Sequence, residues 1–106
     1  MATDIIRGTN LKSETITQNG LTFNIGKYGR MCVIACTAGS TTTAVSANGT
    51  LLTLPADYTP LFQAYAQNLT SFSSRIVASD SGIITSVVAA QAGTSYRFTI
   101  TYITAN

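Results

Sequence analysis

In SYRFTITYIT, Phe98, Ile100 and Tyr102 alternate with Arg97, Thr99 and Thr101. This two-residue period predicts a strand with one face buried and one in water. GLTFNIG repeats the pattern, with Leu21, Phe23 and Ile25 set against Thr22 and Asn24. RMCVIACTA departs from it, because Met31, Val33 and Ala35 oppose Cys32, Ile34 and Cys36 and both sets are apolar. A strand of that kind is expected to place one face on its own core and the other on a partner subunit. No helical period is sustained anywhere in the chain.

Short polar breaks punctuate these runs: Asn19-Gly20, Gly26-Lys27-Tyr28-Gly29, Asn48-Gly49, Asp80-Ser81-Gly82 and Ala92-Gly93. Asn-Gly and Ser-Gly pairs supply the positive φ values that tight hairpins require. The spacing predicts eight or nine short strands and an all-β fold, an antiparallel β-sandwich that is jelly-roll-like. Residues 1–13 carry a weaker pattern and are expected to form an N-terminal connecting segment, with the sandwich over 14–106. Both prolines of the chain fall in LPADYTP, residues 54–60. Proline cannot donate to a strand ladder, so Pro55 is expected to end the strand TLLTL and Pro60 to precede LFQAYAQ. With Asp57 free to bond nearby amides and Tyr58 large enough to anchor the loop, the segment is expected to be a rigid crossover.

Composition changes the picture in one respect. Charged residues make up 9% of the 106-residue chain, where a typical soluble domain carries roughly a quarter. Thr, Ser, Asn and Gln must cover the surface instead, and so weakly charged a monomer tends to associate. The six basic and four acidic side chains, net charge +2, are scattered singly. No basic stripe exists to neutralise phosphates, so nucleic-acid binding is not expected. The longest apolar run, MCVIAC, is far short of the roughly 20 residues that span a bilayer, and membrane insertion is not expected either. MATDIIRGTN lacks the charged and apolar regions of a signal peptide, so an extracellular role would have to be reached without one, as by a virion component released on lysis.

Candidate chemistry is sparse. Cys32 and Cys36 lie on one face of a strand about 13 Å apart, too far for a disulfide, and are expected to be free and buried. The chain has no histidine, so neither a metal site nor a cofactor is expected. One glutamate and three aspartates are spread along the sequence without a catalytic spacing, and no enzyme is expected. Glu14 with Asp57 or Asp80 is the remaining carboxylate pairing that folding could bring together. The sequons at Asn48 and Asn68 read as accidental matches in a Ser/Thr-rich chain.

The order of GTLLTLPADYTP, FQAYA and RIVASDSGIITSVVAAQAGTSYRFTITYIT resembles the C-terminal head domains of bacteriophage tail-fibre and receptor-binding proteins, over residues 49 to 103. In those domains a Gly-Thr strand leads into a Leu-Pro-x-Gly-Tyr-Arg-Pro loop, followed by a strand-turn-strand unit and a closing strand ending in tyrosine. Here Asp57 stands at the glycine and Thr59 at the arginine, so a role resting on that arginine does not carry over. The resemblance implies a homotrimeric jelly roll at a virion tail tip, extracellular after lysis, whose partner is a host cell-surface saccharide. Sugar binding needs aromatic faces for C–H groups and planar polar side chains for hydroxyls. The segment from Asp57 to Arg75 supplies Asp57, Tyr58, Gln63, Tyr65, Gln67, Asn68 and Arg75. Asp57, Tyr58, Tyr65 and Arg75 are the expected ligand-binding residues, near a subunit boundary. Tyr58 has packing as its alternative, Tyr65 a core orientation opposite Ala64 and Ala66, and Arg75 an ion pair with Asp57 or Asp80. Two other functions fit the same residues: a trimerising cap of a virion appendage that binds no ligand, and a carbohydrate-binding module of a bacterial enzyme.

Overall fold

Asn19 and Gly20 hold φ values of 50° and 79°, the left-handed pair that a two-residue hairpin demands. They join β1 (Leu11–Gln18) to β2 (Leu21–Tyr28) in a computed structural model that describes residues 11–70 and 72–106. Gly29, at φ 62°, begins the turn into β3 (Met31–Gly39). The four-residue turn expected at 26–29 is therefore shorter, because Gly26, Lys27 and Tyr28 pair with Val33, Cys32 and Met31 in the ladder. The remaining strands are β4 (Gly49–Thr53), β5 (Ala64–Gln67), β6 (Arg75–Ala78), β7 (Ile83–Ser86) and β8 (Phe98–Ile103).

These strands form two four-stranded antiparallel sheets, ordered β1-β2-β3-β8 and β4-β7-β6-β5. The second sheet is a Greek key, three hairpin-connected strands with β4 returned beside β7. The first is a meander extended by β8, and the two antiparallel sheets together are compatible with a β-sandwich.

Alternation decides which side chains enter the core. Leu21, Phe23 and Ile25 of β2, Cys32, Ile34 and Cys36 of β3, and Phe98, Ile100 and Tyr102 of β8 are buried, together with Leu52, Ile76, Ala78 and Ile84 of the second sheet. The register of β4 against β7 shifts between Thr50 and Leu52. That bulge lets consecutive residues Leu51 and Leu52 both be buried, which a regular pleat forbids. The two cysteines are free and buried as expected.

Of the expected connecting segment, residues 1–10 lie outside the described residues. Leu11 to Ser13 belong to β1, paired with Tyr28, Lys27 and Gly26. The strand pattern is weak there because the positions sharing a face with Lys27 and Ile25 are Lys12 and Glu14. Charged side chains directed inward on an edge strand also discourage edge-to-edge pairing. No helix among the described residues is long and apolar enough to cross a membrane.

Candidate functional site

Those inward charges anchor the proline loop. Pro55, at φ −59°, opens a 3-10 turn over Ala56–Tyr58, and Pro60 forms a bridge with Thr104 beyond β8. The loop thus carries the chain from one edge of the second sheet to the other across the end of the first. Lys12 Nζ donates to Asp57 Oδ2 at 3.0 Å, Lys27 Nζ to the Asp57 carbonyl at 2.7 Å, and Tyr102 OH to the Tyr58 carbonyl at 2.6 Å. Tyr58 OH donates to Glu14 Oε1 at 3.2 Å, and the Ala105 amide to the Thr59 carbonyl at 2.8 Å. Lys27 occupies the fourth inward position of β2, where its alkyl stem lies in the core and its ammonium reaches the loop backbone. The sequence signal for it was present: a lysine continuing the buried set of Leu21, Phe23 and Ile25.

This arrangement corrects the expectation for Tyr58. Its ring is 4% exposed and packed in the core, so neither face is open to a sugar. Burial, followed by the hydrogen bond to Glu14, pushes its phenol above the ordinary range. Asp57 is exposed, but its carboxylate is held by Lys12, whose hydrogen bond and charge lower its pKa. The carboxylate pairing considered for Glu14 and Asp57 is displaced by these two contacts, since each acid is engaged with a different partner.

Tyr65 and Arg75 are brought together on a different surface. In the β5–β6 ladder Tyr65 faces Val77 and Gln67 faces Arg75, so Tyr65 and Arg75 are diagonal neighbours on the outward face, about 7–8 Å apart between backbones. The Tyr65 ring is 62% exposed, while Ala64 and Ala66 turn toward the core. Tyr65 OH donates to Gln63 Oε1 at 2.9 Å, and Gln67 Nε2 to Ser73 Oγ at 2.7 Å. Arg75 is exposed and pairs with neither Asp57 nor Asp80; Asp57 is taken by Lys12. The outward face of β5 and β6 therefore presents an aromatic ring, a guanidinium and the Gln67 amide on hydrogen-bonded strands, with Gln63 just before β5. Asp57 is not part of it, because its contacts are to β1 and β2 of the other sheet.

Asn68 is 1% exposed and acts as a structural hub. Its Oδ1 accepts from the Arg97 amide at 2.8 Å, and its Nδ2 donates to the Phe72 carbonyl at 2.5 Å and to Thr70 Oγ1 at 3.0 Å. The Asn68 sequon is thereby buried and unavailable. Asn19 plays a similar part at the far end, where its Oδ1 accepts from the backbone and hydroxyl groups of Thr42 and Thr43. A groove of about 420 Å³ beside it is lined by Thr42, Thr43, Val45, Ser46, Gly49 and Thr50. It contains no aromatic ring, and the Asn19 amide is spent on the loop, so it lacks the groups that hold a sugar.

Burial dominates the titration of the thiols. It pushes Cys36 up to about 11 and raises Cys32, so both stay protonated at neutral pH. No group of three or more His, Cys, Asp or Glu side chains among the described residues is placed to hold a metal ion. No protein-family model matches the chain, and no curated protein matches it in sequence.

Proposed function

We propose that this protein is the saccharide-binding head domain of a phage or phage-like tail fibre or baseplate. It acts as a homotrimer with a jelly-roll-like sandwich fold, is displayed on the virion and binds the host cell surface without catalysis. The observation that carries the reading is the pairing of an exposed Tyr65 ring with Arg75 on the outward face of β5 and β6. Tyrosine offers a flat apolar face to sugar C–H groups, and Arg75, Gln63 and Gln67 offer planar donors and acceptors to hydroxyls. The hydrogen-bonded strands fix these groups before a ligand arrives, which lowers the entropy lost on binding.

The proline loop favours a second reading. Its aspartate and tyrosine are committed to internal contacts, as they would be in a cap that serves assembly alone. One comparison separates the two. Wild-type protein and the Tyr65→Ala/Arg75→Ala double variant are assayed for binding to bacterial envelope fractions, with oligomeric mass measured in parallel. The receptor reading expects binding by the wild type and its loss in a variant of unchanged mass. Binding that survives both substitutions removes the site from this face, and a wild type that binds no envelope fraction supports the cap.

A further inference from the structure

The outward face of the first sheet carries a row of apolar side chains that crosses every strand. The ladders align Leu11 with Tyr28, Tyr28 with Met31, and Met31 with Ile103. The Pro60–Thr104 bridge and the bond from the Leu61 amide to the Ile103 carbonyl, 2.8 Å, add Leu61 as a fifth position. Val33 lies next to Met31 on the same face of β3. All six side chains are between 40% and 56% exposed. They leave roughly 500 Å² of side-chain surface in water, toward the upper end of the 300–600 Å² of the largest patch on a typical monomer. That is also more than half of the ~800 Å² that each partner buries in a standard stable interface.

We propose that this row is the seam along which copies of the chain associate. The outward positions of β1, β2, β3 and β8 include no Asp, Glu, Lys or Arg, since Lys12, Glu14 and Lys27 point inward. Arg30, exposed in the turn before Met31, has its guanidinium committed to the Thr104 and Ala105 carbonyls; the strand positions themselves meet a second copy without like-charge repulsion. Three polar side chains of the face are partnered within it: Thr15 Oγ1 donates to Asn24 Oδ1 at 3.0 Å and Asn24 Nδ2 to Thr37 Oγ1 at 3.1 Å. Covering these three costs little desolvation, while the hydroxyls of Ser13, Thr99 and Thr101 on the same face need partners in the facing copy. An apolar strip flanked by hydroxyls and poor in charge is the composition of a homo-oligomer interface. Tyr65 and Arg75 lie on the other sheet and stay open when the seam closes, which moves the saccharide face away from the subunit boundary expected for it. The seam rests on the proposed function for its stoichiometry of three and on the row alone for its location.

The test compares the wild type with Met31→Glu and Val33→Glu, and with Leu69→Glu as a control at an exposed apolar position outside the row. Light scattering gives mass, near-ultraviolet circular dichroism reports the fold, and peroxide oxidation of Met31 is followed by mass spectrometry. The seam predicts an oligomeric wild type with Met31 oxidised several-fold more slowly than free methionine. It further predicts folded monomers for both row variants, free oxidation of Met31 in Val33→Glu, and an unchanged oligomer for Leu69→Glu. A monomeric wild type at micromolar concentration, freely oxidised Met31 in an oligomer, or an oligomer retained by both row variants would overturn it. Met31 shielded in a monomer would overturn it too, by assigning the row to residues 1–10. If the row variants do not fold, Met31 oxidation in the wild-type oligomer decides. A dimer that shields Met31 supports the seam and refutes the trimer.

Discussion

Replacing Asn68 with alanine removes the amide that ties β5 to the entry of β8. The part-buried Arg97 amide, which donates to Asn68 Oδ1 at 2.8 Å, loses an acceptor whose residue is 1% exposed. The Phe72 carbonyl keeps Thr70 Oγ1 at 3.1 Å and is not orphaned. One buried donor left unsatisfied costs about 1–3 kcal/mol, and the space vacated by the amide adds about 1 kcal/mol. A total near 3 kcal/mol corresponds to a fall in Tm of roughly 15 °C for a domain of this size. Thermal and urea unfolding of the variant measure the loss, and native-state hydrogen exchange at the Arg97 amide locates it. The backbone bond from the Leu69 amide to the Arg97 carbonyl, 2.8 Å, should open in the same exchange experiment. A loss below about 1 kcal/mol with unchanged protection at Arg97 would refute the role given to Asn68, because another acceptor would then already serve that amide.

Two further outcomes follow from the same structure. Cys36 titrates at about 11 against an ordinary 9.0, raised by burial. The folded state therefore holds the thiol proton more tightly, so this stability is complete below about pH 9 and is lost as pH rises toward 11. Cys36 alone contributes a fall of about 2–3 kcal/mol to unfolding titrations across that window, read as the difference from Cys36→Ser. Cys32 and the buried tyrosines, raised the same way, deepen the total. Rapid alkylation of both thiols at pH 8.5 in the folded protein would contradict the burial that raises them. Pro55→Ala should lower stability by about 0.4–1 kcal/mol, since alanine tolerates φ −59° and the effect lies in the freer unfolded chain. An unchanged midpoint in urea would remove that role.

Local alternation made β2, β3 and β8 legible, because each buries a run of three alternating apolar positions against the core, with Lys27 continuing that of β2. The two faces of β3 were legible as well, and its outward residues are the exposed Met31 and Val33. The start of β1 was not. Lys12 and Glu14, both exposed, share the face of Ile25 and Lys27, and their partners lie in a loop more than forty residues away, Asp57 and Tyr58. The same distance hid the fate of Asp57. Its neighbours in sequence lead to Tyr65 and Arg75, but the crossover turns its carboxylate toward the first sheet. Tyr65 was ambiguous for a different reason, since alanines on both sides give no contrast in hydrophobicity; only the pairing of Ala64 with Ala78 and of Tyr65 with Val77 decides which side is core. The order β4-β7-β6-β5 is likewise a property of long-range pairing that no local pattern encodes.

The central claim, that Tyr65 and Arg75 present a saccharide-binding face, is tested most directly by titrating the protein calorimetrically with envelope polysaccharides from a panel of bacteria, each before and after periodate oxidation of its vicinal diols. The account predicts saturable binding to at least one polysaccharide, abolished both by periodate and by Tyr65→Ala/Arg75→Ala with the protein's mass and fold unchanged. Heat that survives periodate or survives the double substitution, or no binding to any polysaccharide of the panel, would contradict it.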